Sequence, residues 1–212
     1  DHAAENQIHT GRHRLDETQP SIGSWAHYGL GTLNENLPKF VVLGGPTRTD
    51  TRDSIDSYYL GPAHSGIPLN LNPNNPLPFS NRQEGQSADL QRREFDLINQ
   101  LNRLTLSDYK DDRQLLARIK SYELAFRMQM AAPDGLSIAG ETESTLQMYG
   151  VDQGPMDNFA RQCLLARRLV ENGVRFVQCS HSYKWDQHGA LKGGNQTNAS
   201  EVDQPIAALI RD

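Results

Sequence analysis

The sequence predicts an α/β protein with a mostly parallel sheet, and two observations carry this prediction. Two short apolar runs, at 39–43 and 174–180, have the length and composition of buried strands. The second run follows directly after an amphipathic helical stretch at 157–171 and the pair Asn172-Gly173. A helix, a glycine and a buried strand in this order are typical of the second half of a βαβ crossover, which joins parallel strands.

The bulk composition limits the size and the partners of the protein. A chain of 212 residues is the length of one domain, and we take 1–212 as a single, incomplete domain. The formal net charge of -5 and a pI near 5.8 argue against a nucleic-acid surface, which needs a clustered basic face. Two cysteines make no disulfide framework, and no apolar run is long enough to span a membrane.

The first strand leads into a long irregular segment. Pro38 precedes the apolar run and Gly44-Gly45-Pro46 follows it, a pattern typical of a buried strand that enters a tight loop. Residues 44–86 are rich in proline and asparagine, so they predict an ordered but irregular loop. Five apolar side chains are expected to anchor this loop: Tyr58, Tyr59, Leu60, Ile67 and Phe79.

Helical periodicity starts after this loop. Residues 87–132 predict a hairpin of two amphipathic helices, inserted into the domain, with the second helix beginning near Asp111 or Asp112. In its first helix, one apolar stripe is formed by Leu90, Leu97, Leu101 and Leu104. Further helices are predicted at 3–10, 24–28, 142–149, 157–171 and 201–211. In the helix at 24–28 we expect Ser24 to be the cap, and Trp25 and Tyr28 to face inward.

Polar side chains follow the second strand. His181 stands at its exit, and Asp186 and His188 come shortly after it. An oxygen and an imidazole donor suit a divalent metal, and the carboxyl end of a parallel strand is where open α/β sheets place ligands. The alternative interpretation is a polar surface loop with a capping aspartate and exposed histidines.

Near the start of the chain, a second histidine cluster consists of His2, His9 and His13, which are either functional or simply exposed. The sequence contains no P-loop, no GxGxxG after a strand, no HExxH and no GxSxG. No motif in the sequence therefore supports an ordinary nucleotide-binding protein or a serine hydrolase.

Eight segments together resemble the DUF1501 family, a sulfatase-like branch of the alkaline phosphatase superfamily that is common in planctomycetes and related bacteria. The segments are HTGR at 9–12, SWAHYGLGT at 24–32, NLPKFVVL at 36–43, ELAFRMQ at 123–129, RQCLLARRLV at 161–170, the strand VRFVQCS at 174–180, WDQHG at 185–189 and DQPIAALI at 203–210. The resemblance covers nearly the whole chain. It implies a partial α/β/α sandwich around the parallel sheet, with metals at the carboxyl ends of the strands.

The resemblance also implies a function and a set of site residues. It implies a metal-dependent hydrolase of sulfate or phosphate esters, small molecules or glycans, in a periplasmic or secreted parent protein. Asp186 and His188 then ligate the metal, His181 orients or ligates, and His9 and Arg12 lie near the ester anion. Zinc or manganese suits an Asp–His pair; calcium, which prefers oxygen ligands alone, is the third candidate.

The resemblance has one departure, at Asp1. The piece Thr10-Gly11-Arg12 looks like the end of the sulfatase signature, and its nucleophile position falls on Asp1, where a sulfatase carries Cys or Ser. An aspartate there is interpreted as a metal ligand instead. We further expect the chain to be a fragment that lacks the N- and C-terminal parts of the family, so that it holds half of a metal site and is itself nearly inactive.

Two alternatives stay open at this stage. The first is a family member that has lost its chemistry and binds a carbohydrate or a protein partner, because a fold does not fix a function. Its working surfaces would be the loop at 44–86 and the helical hairpin. The second is a phosphomutase-like transferase, which differs from the hydrolase in its nucleophile and substrate pocket.

Overall fold

Three parallel strands and seven α-helices make up the fold in the part of the chain that the computed structural model describes. The described residues are 2–13, 16–44, 54–69, 71, 87–109, 112–131, 137–181 and 185–212. The strands are β1 (Phe40–Leu43), β2 (Ile67–Leu69) and β3 (Phe176–Cys179). The helices are α1 (His2–Thr10), α2 (Ile22–Leu30), α3 (Ala88–Asp108), α4 (Arg113–Ala131), α5 (Glu143–Tyr149), α6 (Asp157–Glu171) and α7 (Leu191–Arg211). The predicted α/β class is confirmed.

Strand β1 lies in the middle of the sheet, in the order β2-β1-β3, and pairs parallel with both neighbours. All four of its side chains are buried, as a continuous apolar run predicts for a strand covered on both faces. Val41 stands opposite Ile67 on one side and Val177 on the other. The first predicted strand is therefore confirmed, and it carries the sheet.

Strand β2 lies inside the segment that we expected to be irregular throughout. It holds Pro68, which lacks a backbone N–H, and an outer strand is where a sheet tolerates that loss. A three-residue strand with a central proline has no sequence signature of its own, which is why the periodicity missed it. Leu69 and Ile67 pack on the core, whereas Tyr59, expected to be an anchor, is 59% exposed. The expected anchor Phe79 lies outside the described residues.

Helix α6 and strand β3 form the predicted crossover. The buried face of the helix includes Cys163, Leu164 and Leu169, and the chain turns at Gly173 into β3, which runs parallel to β1. The backbone N–H of Val174 bonds to the carbonyl of Leu169, closing the helix end. The parallel pairing inferred from helix, glycine and strand is confirmed.

The inner face of helix α2 is made of small and polar residues rather than aromatic ones. Gly23, Ser24 and His27 are buried, while Trp25 and Tyr28 are 46% and 58% exposed. The cap is Ser21, whose hydroxyl accepts from the backbone N–H of Ser24. The expectation of inward aromatic rings and a Ser24 cap was wrong, because α2 approaches β1 so closely that only a glycine fits against Phe40.

Both helices of the predicted hairpin are present, and each begins where the sequence indicates. The hydroxyl of Ser87 caps α3, and a carboxylate oxygen of Asp112 accepts from the backbone N–H groups of Gln114 and Leu115 at the start of α4. Phe95 and Phe126 stack between the helices with ring centroids 3.8 Å apart. The leucine stripe of α3 is exposed instead of buried, because the contact between the helices runs through this phenylalanine pair.

Helix α7 begins at Leu191, ten residues before the predicted start at Glu201. Gly193, Gly194 and Asn195 are weak helix formers and concealed its first turns. Pro205 therefore lies in the helix interior, where it is buried. In the described residues no helix has the length and apolar character needed to cross a membrane.

Candidate functional site

The carboxyl ends of β1 and β3 meet at one edge of the sheet. The backbone N–H of Ser180, just past β3, bonds to the carbonyl of Leu43, the last residue of β1. Gly44 follows Leu43 with φ +65°, and an added Cβ at this position would lie 2.4 Å from the carbonyl oxygen of Ser180. His181 leaves the sheet next to this close approach, so its position is set by the strand pairing.

Both ring nitrogens of His181 have partners. The Nε2 atom lies 2.8 Å from Oε2 of Glu201 on α7, and the indole Nε1–H of Trp185 donates to Nδ1 over 2.9 Å. The ring of Phe159, on α6, meets the imidazole edge to face with centroids 5.5 Å apart. His181 is therefore held from the strand end, the following loop and two helices.

This arrangement determines the tautomer of the neutral His181 ring. An indole nitrogen can only donate, so Nδ1 of His181 must present its lone pair to Trp185. The ring proton then resides on Nε2 and is donated to the Glu201 carboxylate. For His181 to bind a metal or substrate through Nδ1, the Trp185 indole has to move away first.

Asp186 and His188 form a second pair in the same loop. Oδ2 of Asp186 lies 3.4 Å from Nε2 of His188, and the His188 side chain is 84% exposed. Two donors at about 2.1 Å from one ion, at a tetrahedral angle, are about 3.4 Å apart, so the spacing fits two ligands of a zinc-like ion. Among the described residues no group of three or more His, Cys, Asp or Glu side chains is arranged to hold a metal.

The remaining predicted site residues lie at the end of α1. His9 is half-buried in its last turn, and burial lowers the pKa of its imidazole. Arg12 is exposed, and its backbone N–H lies 3.3 Å from Oγ1 of Thr10. Within the described ranges neither residue makes a hydrogen bond or ion pair with His181, Asp186 or His188, and Asp1 lies outside these ranges. Their roles stay predictions.

Glu201 and Phe159 are the parts of the site that sequence reasoning missed. A signal for Glu201 exists in the inner face of α7, where Asn198, Glu201, Pro205 and Ala208 are buried at helical spacing. A carboxylate on the buried stripe of a helix needs a partner. Once α7 is known to begin at Leu191, Glu201 lies on its buried face. Its partner is then His181, at the end of β3.

Replacing Glu201 by alanine is expected to destabilise the protein by about 2 kcal/mol, because the His181 N–H loses a charged acceptor in a buried setting. The measurement is the free energy of unfolding from a denaturant titration. Asp203→Ala, an exposed change on the same helix, is the control and should stay within about 0.5 kcal/mol of the parent. Equal losses in the two variants would contradict this role of Glu201.

These features define an α/β protein with polar side chains gathered at the carboxyl edge of a parallel sheet. The chain belongs to the DUF1501 family: the family described as "Protein of unknown function (DUF1501)" matches residues 1–212. No curated protein matches the chain significantly. No solved structure does so either.

Proposed function

We propose that the protein is part of a metal-dependent hydrolase of sulfate or phosphate esters, with Asp186 and His188 as metal ligands. The observation that carries this proposal is the 3.4 Å spacing of an oxygen and a nitrogen donor just beyond the carboxyl end of β3. Parallel sheets place ligands at this edge, and the sulfatase-like resemblance of the sequence supports the same reaction class.

The chemistry of the pair supports zinc or manganese over calcium, because one donor is an imidazole. A divalent ion at this edge would neutralise ester oxygens and lower the pKa of a bound water. Asp186 and His188 would hold the ion, and the exposure of His188 leaves room for substrate and for further ligands. His181 would orient the loop through Trp185, while Arg12 and His9 would bind ester oxygens.

Metal binding tests the proposal directly. Titration of Zn²⁺ and Mn²⁺ into the protein, followed by calorimetry, is expected to show one saturable site. Asp186→Asn and His188→Gln should each weaken the affinity by at least about tenfold, the size of effect seen when a group that supports a metal site is lost. Asp203→Asn removes an exposed carboxylate on α7 and is the matched control.

Two results would overturn the proposal. One is unchanged metal affinity when both Asp186 and His188 are replaced; the other is an equal loss in Asp203→Asn. If metal binds as expected, hydrolysis of an aryl sulfate and an aryl phosphate by the metal-loaded protein distinguishes the two ester classes.

A binding role is the second candidate, and one surface favours it. Trp25, Tyr28 and Tyr59 are 46%, 58% and 59% exposed, and Trp25 meets each tyrosine with ring centroids 6.1 Å apart. Clustered exposed rings are characteristic of sites that contact a carbohydrate or a protein partner. Retention of glycan binding in a variant that binds no metal would favour this candidate.

A further inference from the structure

A cavity of about 540 Å³ lies at the opposite edge of the sheet from the candidate metal ligands. Its walls come from residues that precede β1 and β2, from α4 and from His27 on α2. Because the strands are parallel, this is the amino edge, and the cavity is separate from the His181 side. Its volume falls in the range of small-molecule sites.

Three cationic side chains line this cavity: Lys39, Lys120 and Arg127. Lys39 lies 3.9 Å from Glu35, whose side chain is 71% exposed. In the described part of the chain Lys120 and Arg127 make no ion pair, and Nε of Arg127 is buried without a hydrogen-bond partner. The second carboxylate in the lining is Glu123. The positive charges are thus only partly balanced.

Two histidines share the cavity wall. The rings of His27 and His64 lie edge to face with centroids 4.6 Å apart, and the Nδ1 atom of each is buried without a hydrogen-bond partner. Burial lowers the pKa of His27 to about 4, with further lowering by His64 and Lys39 and a smaller opposing effect of a hydrogen bond to the His64 backbone. Burial, Lys39 and Lys120 lower the pKa of His64.

The sign of the ligand follows from these charges. A metal cation could use the two Nδ1 lone pairs, but the lysines whose field disfavours protonation of the imidazoles repel any other cation equally. An anion is attracted by the same field. It would also offer an acceptor to the Arg127 guanidinium, which lines the cavity, and would favour a proton on each imidazole.

We propose that this cavity binds a small organic anion, with its acidic group among Lys120, Arg127 and the His27–His64 pair. Leu37, Ile67 and Leu124 line the same cavity, so the remainder of the ligand is an apolar body about the size of one ring. This site does not depend on the hydrolase proposal, since it shares no residue with the carboxyl edge.

Benzenesulfonate is the probe, because it has one ring, a permanent negative charge and no ester to hydrolyse. We expect saturable binding by calorimetry at pH 6, weakened at least about tenfold by Lys120→Gln through loss of a charged hydrogen bond. Arg118→Gln removes an exposed charge from the same helix outside the cavity and should change the affinity by less than about twofold, because solvent screens such charges. Circular dichroism confirms that both variants keep their helix content.

Histidine resonances in NMR locate the probe. The expected result is a shift of the His27 and His64 signals on binding. The pKa of His27 should then be higher than its value of about 4 in the protein without ligand. Absence of binding at millimolar probe, equal weakening by the two variants, or shifts of His181 and His188 instead would each overturn the proposal. So would Zn²⁺ binding at His27 and His64 in the absence of any anion binding.

Discussion

Replacing Gly23 by alanine is expected to destabilise the protein by about 3 kcal/mol, at the upper end of the usual cost of overpacking a core. A Cβ at this position of α2 would lie 2.3 Å from Cζ of Phe40, far inside van der Waals contact. Phe40 is 1% exposed and its ring packs edge to face on Phe176, so the ring cannot move away without losing this packing. Either α2 or the first residue of β1 must shift.

Gly29→Ala is the matched control, since Gly29 lies in the same helix and a Cβ there meets no atom within 4 Å. That change should stabilise the protein by about 0.5 kcal/mol, through the better helix propensity of alanine. Denaturant unfolding of both variants gives the comparison. Adding Phe40→Leu should recover part of the Gly23→Ala loss, and strict additivity of the two changes would contradict the collision.

Strand β1 could be predicted because Phe40–Leu43 is a continuous apolar run, and all four of its side chains are buried. Strand β3 contains Gln178 and is otherwise only half-buried, so its expected full burial was wrong; its position was predicted from the helix and Gly173 that precede it. The helix starts at Asp112 and Thr142 could also be predicted, because a side-chain oxygen that caps a helix acts on backbone groups only two or three residues away. Local chemistry therefore predicted most elements.

The orientation of elements could not be predicted in the same way, because it depends on what packs against them. Trp25 and Tyr28 have greater hydrophobic area than Gly23, yet Gly23 faces the sheet because its small size permits the close approach to Phe40. Likewise, Leu97 and Leu101 have the spacing of a buried stripe but are 57% and 56% exposed. Periodicity indicates that a helix has an apolar face without indicating what covers it.

The proximity of Asp186 and His188 could be predicted from the sequence, whereas the partner of His181 could not. Asp186 and His188 are two residues apart in one loop, so their proximity follows from their spacing in the sequence. The partner of His181 is on another helix, twenty residues further along the chain. The pairing of His181 with Glu201 becomes visible only when α6 and α7 have been packed beside β3.

Gly44→Ala is expected to cost about 4 kcal/mol, because two effects act at this position. Gly44 has φ +65°, where any residue with a Cβ is strained by about 1–2 kcal/mol. In addition, the new Cβ would lie 2.4 Å from both the Ser180 carbonyl oxygen and Nε2 of Gln162. Gln162 is 1% exposed, so its side chain must repack, and the Ser180 oxygen is backbone, so it can move only if the end of β3 is displaced.

Gly11→Ala separates the two effects, because Gly11 also has a positive φ of 73° but a Cβ there meets nothing within 4 Å. It should lose only the strain of about 1–2 kcal/mol in the free energy of unfolding. Gly44→Ala should also shift the NMR signals of His181, which follows Ser180 directly, and so disturb its bonds to Glu201 and Trp185. If Gly44→Ala proved as mild as Gly11→Ala and left His181 unchanged, then the contact between the ends of β1 and β3 would not be what positions the candidate site.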